Sequence, residues 1–132
     1  MIARHTSLLR RALAADAIGS GTLGIALIVA AGPFAQLFGL TESMLSVVGL
    51  LLLPWAAWTG WLALQSDPPR TQVWSVIGIN TLWVIDSVLL LMSGWVQPNA
   101  LGTAFIVAQA VAVGVFAELQ YVGVRRATTL AA

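Results

Sequence analysis

Four runs of about twenty apolar residues, each long enough to cross the hydrocarbon of a bilayer as a helix, dominate this chain. They extend from about Ala12 to Ala31, Met44 to Leu64, Val73 to Met92 and Ala100 to Val122. Composition argues against a soluble alternative. Of 132 residues, 59% are hydrophobic and 8% charged, whereas a soluble domain carries about 25% charged residues to cover its surface. Barrel strands would alternate strictly over about ten residues, and these runs do not alternate. The sequence therefore predicts one all-α domain over residues 1–132. Its expected form is a membrane four-helix bundle in up-down-up-down order.

The breaks between runs carry turn chemistry. Gly32-Pro33 is expected to end the first span, because proline cannot continue a helix. Thr41 is placed to cap the second helix, with Glu42 at its positive dipole end. Ser66-Asp67-Pro68-Pro69 predicts a tight turn in which Asp67 is the N-cap and Pro68 sits where no N–H is needed. Gln97-Pro98-Asn99 supplies the last turn. Such short links predict that consecutive helices are antiparallel neighbours. The apolar segment Phe34 to Leu40 falls in a loop, where it would lie along the outer interface.

The arginines orient this arrangement. Arg4, Arg10 and Arg11 precede the first span, Arg70 lies in the second loop, and Arg125 and Arg126 follow the fourth. All six fall on one side of a four-span order. The positive-inside rule puts that side, and both termini, in the cytoplasm. For a bacterial chain this is the inner membrane, multi-pass, N-in and C-in. The amino terminus is not expected to be a cleaved signal, because its apolar run is too long and Asp16 interrupts it. Trp95 at one boundary, and Trp61, Trp74 and Tyr121 at the other, sit where interfacial aromatics sit. Trp55, Trp58 and Trp83 lie deeper.

Three carboxylates fall inside the spans: Asp16, Asp86 and Glu118. An aspartate at a helix centre costs about 2.5–3.5 kcal/mol on insertion scales, so each should face protein or water. Asp16 and Glu118 are inner-boundary groups at similar depth, and would share a proton if their helices touch or pair with nearby arginines. Small residues suggest that contact. Ala12, Asp16, Ser20 and Gly24 recur every fourth position on one helix, and Ala110, Gly114 and Glu118 on another. Asp86 has no arginine on its side. With Asn80, Trp83, Trp55 and Gln109 it forms a candidate ligand or ion site, in which Gln109 is placed to bond Asn80. The alternative is polar glue between helices. Pro54 frees the Leu50 carbonyl mid-span, which an indole N–H or the Asn80 amide would satisfy. A kink there, beside Trp55 and Trp58, would open an apolar pocket or be filled by the indoles.

Much chemistry is missing. There is no lysine for a Schiff base and no cysteine for a thiolate site. His5 is the single histidine and is expected to be a solvated tail residue. No metal site, no cofactor and no nucleic-acid surface is expected.

The segments Arg11-Ala12-Leu13-Ala14-Ala15-Asp16, Asn80-Thr81-Leu82-Trp83 and Ala117 through Arg126 resemble those of uncharacterised small four-helix bacterial integral membrane proteins. That resemblance covers most of the chain and implies no activity. Small multidrug transporters also have four short spans, but their glutamate lies midway along the first helix, whereas Asp16 lies nearer the inner end. The expected function is a non-catalytic membrane protein, either an accessory subunit or a binder of lipid or an apolar ligand. Its expected partners are membrane lipid and further copies of itself or a larger membrane complex. The alternative is an oligomeric proton- or cation-coupled transporter or channel using the intramembrane carboxylates.

Overall fold

The computed structural model describes residues 6–131, with side chains through Ala127. Arg4 and His5 lie outside the described residues. Five helices follow one another, and no strand occurs among the described residues. They are α1 (Ser7–Val29), α2 (Ala31–Phe38), α3 (Glu42–Leu64), α4 (Arg70–Ser93) and α5 (Ala100–Ala131). All but α2 are long and apolar enough to cross a membrane. At 23 residues, α1 and α3 each reach about 34 Å.

Proline chemistry sets the first break, although not where the sequence suggests. A proline ring clashes with the carbonyl four residues earlier. For Pro33 that residue is Val29, where α1 stops. The chain kinks at Ala30, and Pro33 then sits in the first turn of α2, where its missing N–H costs nothing. The segment expected to be a loop is therefore mostly helix. It ends at Gly39, whose left-handed φ of 69° suits glycine. Phe38 of α2 stacks on Phe34 and on Phe105 of α5, at ring-centroid distances of 5.6 and 4.6 Å.

The caps are mixed. Thr41 Oγ1 accepts from the Met44 N–H at 3.2 Å, as expected. Asp67 caps nothing. The N-cap of α4 is Pro69, and the helix starts at Arg70, beyond both prolines. Asn99 does more than turn the chain. Its Oδ1 accepts from the Gly102 N–H at the start of α5, while its backbone N–H and its Nδ2 donate to the Phe38 and Leu37 carbonyls that end α2. One residue thus closes one helix and opens another.

α1 is central. It packs along both α3 and α5, and α4 packs on α5. Glycines allow the closest approaches. A Cβ on Gly49 of α3 would lie 2.8 Å from the Gly24 carbonyl oxygen, and one on Gly123 of α5 would lie 2.7 Å from the Leu9 Cα. Small residues let backbones meet in this way where lipid supplies no hydrophobic drive. The small stripe of α1 is buried at Ala12, Asp16, Ser20 and Gly24. The stripe expected on α5 starts on its contact face at Ala110 and drifts off it. Positions 110, 114 and 118 advance 40° at each step, and Glu118 ends up exposed. The buried residues Ile106, Ala110, Ala117, Gln120, Val124 and Ala127 follow the three-and-four spacing that stays on one face.

One expected neighbour pair is absent. The backbones of α3 and α4 stay apart although a short turn joins them. Indoles occupy the gap: Trp55 and Trp58 pack against the core cluster that includes Leu62, Val73 and Ile77. Helix separation depends on side-chain bulk at the contact, and tryptophan demands the most.

The described arginines gather at one end. Thr6 Oγ1 donates to the Ser66 carbonyl, and Arg10 Nε donates to the Ala63 carbonyl at 3.0 Å, so the start of α1 meets the end of α3. Arg125 lies over the Tyr121 ring, which meets Trp74 edge-on. Outward faces are largely apolar, with Val29 and Leu64 each 80% exposed. Helices that are apolar all round, bundled with so few charges, make this a membrane protein.

Candidate functional site

The carboxylate of Asp16 is the structural focus. It is 0% exposed and lies nine residues, or about 14 Å, into α1. Four donors surround it. Oδ1 accepts from Ser20 Oγ at 3.0 Å and from Trp55 Nε1 at 3.2 Å. Oδ2 accepts from Asn80 Nδ2 and Gln120 Nε2, both at 2.8 Å. Asn80 Nδ2 also donates to Gln120 Oε1 at 3.0 Å, which closes the cluster. Ser20, Trp55, Asn80 and Gln120 belong to α1, α3, α4 and α5, so each spanning helix gives one donor. An ionised carboxylate offers about four lone-pair sites, and here all four are used.

This arrangement corrects the expected pairings. Glu118 is exposed and lies in an open groove with Thr81 and Tyr121, so it shares no proton with Asp16. Its neighbour two positions on, Gln120, is the α5 residue that turns inward. Asn80 bonds Asp16 and Gln120 rather than Gln109. Neither Asn80 nor the Trp55 indole serves the Leu50 carbonyl, and α3 continues as helix through Pro54. Gln120 was missed. The spacing of Ala117, Gln120 and Val124 could have flagged its face, but not its partner.

The deep indoles now have a role. Trp55 donates to Asp16, Trp58 Nε1 to Gln72 Oε1 at 2.9 Å, and Trp83 Nε1 to Gln109 Oε1 at 2.7 Å. Gln109 Nε2 donates to Ser87 Oγ and to the Ile106 carbonyl, and Ser87 Oγ to the Trp83 carbonyl. A second polar cluster thus joins α4 to α5.

Between the two clusters lies a cavity of about 290 Å³. Ser20, Trp55 and Asn80 border it on one side and Trp83 and Gln109 on the other, with Leu23, Leu52, Ile79 and Phe116 among its apolar walls. A second cavity of about 240 Å³ adjoins it, sharing Leu23, Trp83 and Gln109. Together they form a cleft on the side where α3 and α4 part. Every buried side-chain nitrogen and oxygen among the described residues has a partner, so the clusters leave nothing unsatisfied along the cleft. Asp86 is the exception in kind. It is exposed, lines the second cavity beside Ser87, and makes no hydrogen bond or ion pair among the described residues.

No protein-family model, curated protein or solved structure matches the chain.

The geometry orders the effects of substitution. Asn80→Leu removes donors from both Asp16 and Gln120 and should lower unfolding stability by about 2–4 kcal/mol. Trp55→Phe removes only the longest bond and should cost about 1 kcal/mol or less. Unfolding in mixed micelles measures both, and equal losses would contradict the ordering.

Proposed function

We propose that this chain is a non-catalytic protein of the bacterial inner membrane whose cleft between α3 and α4 holds a lipid or another apolar ligand. The observation that carries this reading is the cleft itself. Its walls are largely apolar, it lies where the backbones of two sequence-adjacent helices stand apart, and apart from Asp86 its polar side chains are already bonded within the two clusters. Away from Asp86, such saturated walls favour an apolar occupant, because a polar one would lose water and gain no partner. At about 290 Å³, the larger cavity is near the lower end of ligand pockets, about 300 Å³. The outward apolar surfaces also suit an accessory subunit that associates with further copies or a larger complex.

The coupled-transport reading has less support. Asp16 is sealed by four donors, and Glu118 faces away from the cleft. Asp86 alone is positioned for it.

Native mass spectrometry of protein released by mild detergent should show a bound lipid or apolar adduct. Leu23→Trp, which fills the junction of the two cavities, should remove it. Bare protein throughout would contradict the proposal.

The orientation we infer is up-down-up-down with both termini cytoplasmic, supported by the gathering of the arginines at one end. The chain has no cysteine, so a single introduced thiol reports its side cleanly. Asp67→Cys should react with an impermeant maleimide only in inverted vesicles, and Gln97→Cys only in intact cells. The reverse pattern would invert the topology.

A further inference from the structure

Asp86 sets the chemistry of the ligand. The cleft's other polar side chains are tied into the two clusters, whereas Asp86 presents an unpartnered carboxylate to the second cavity. Arg10, Arg11, Arg70, Arg125 and Arg126 lie toward the opposite end of the bundle, and the nearer helix start, that of α3, contributes the acidic Glu42. A bare carboxylate in a low-dielectric wall, with no cation beside it among the described residues, complements a cation on the ligand. Trp83, one helical turn before Asp86, borders both cavities, and its indole also attracts cations. Beyond Trp83 and Leu23 the cleft is largely apolar, and its polar side chains there are bonded to one another.

We propose that the cleft binds a single-chain amphiphile bearing a protonated amine, with the ammonium at Asp86 and the alkyl chain running past Trp83 into the larger cavity. This rests on the reading of the cleft as a ligand site and specifies the ligand's class. The ammonium would donate to the Asp86 carboxylate, the one polar group of the cleft without a partner. A neutral amphiphile of equal length would fill the same apolar volume without that bond.

The test uses the full chain in phosphatidylcholine nanodiscs, with two photoreactive probes: a diazirine-bearing hexadecylamine and the matched hexadecanol. The amine should crosslink to residues around Leu23 and Trp83 with about tenfold higher affinity than the alcohol. Asp86→Asn should remove that advantage and leave alcohol labelling unchanged. Asp86 is exposed and unbonded, so this variant keeps the fold, and its alcohol labelling verifies that. If both probes label the cleft equally in the parent chain, the amine assignment is overturned and the apolar site stands. If neither labels the cleft, the site itself fails and the amine assignment with it.

Discussion

A single carboxylate in the middle of the bundle is the constraint on which the rest of this structure depends. Asp16 would cost about 2.5–3.5 kcal/mol to place at the centre of an isolated helix. The protein meets that cost with one hydrogen-bond donor from each of the four spanning helices. Lipid tails are as apolar as leucine, so burial of apolar area does not select which faces of these helices meet. Directional bonds and close backbone approach do. The donors to Asp16 fix the rotation of each helix about its own axis, and Gly24, Gly49 and Gly123 fix how near α3 and α5 come to α1.

The cleft follows from the same geometry. Asp16 reaches Trp55 on α3 and Asn80 on α4, so α1 bridges two helices whose backbones stay apart and which meet each other through bulky indoles. Their separation leaves a cavity, and the Gln109–Trp83–Ser87 cluster borders it opposite Asp16. Both clusters consume their own polar groups, which keeps the cleft dry in character and leaves Asp86 as the contrasting feature. Structure and candidate function are thus connected: the hub that holds the helices together also determines where they part.

The sequence carried the coarse fold plainly. Apolar run length marked the four spans, Thr41 marked a cap, and arginine placement marked one end. Local rules failed where two of them competed. Pro33 stops α1 through the carbonyl four residues back, so the break came before the Gly-Pro pair. Asp67 yielded to Pro68 and Pro69, which pushed the helix start to Arg70. The site was legible only in pieces. Each segment quoted for its resemblance contains one member of the hub: Asp16, Asn80 and Gln120. Hydropathy cannot say that they meet, because pairing across 64 and 104 positions depends on how whole helices rotate and pack. Every-fourth spacing identified the inner face of α1 but drifted off the inner face of α5. Glu118 therefore looked like the partner that Gln120 turned out to be.

The most direct test of this account is the stability of Asp16→Asn, measured by reversible unfolding in bilayers. Asparagine keeps the size and replaces one acceptor oxygen with a donor amide, which then faces donors from neighbouring helices. The account predicts a loss of about 3 kcal/mol or more, because several buried partners go unsatisfied together. Unchanged stability would contradict it and would leave Asp16 as an incidental polar group in a bundle held by packing alone.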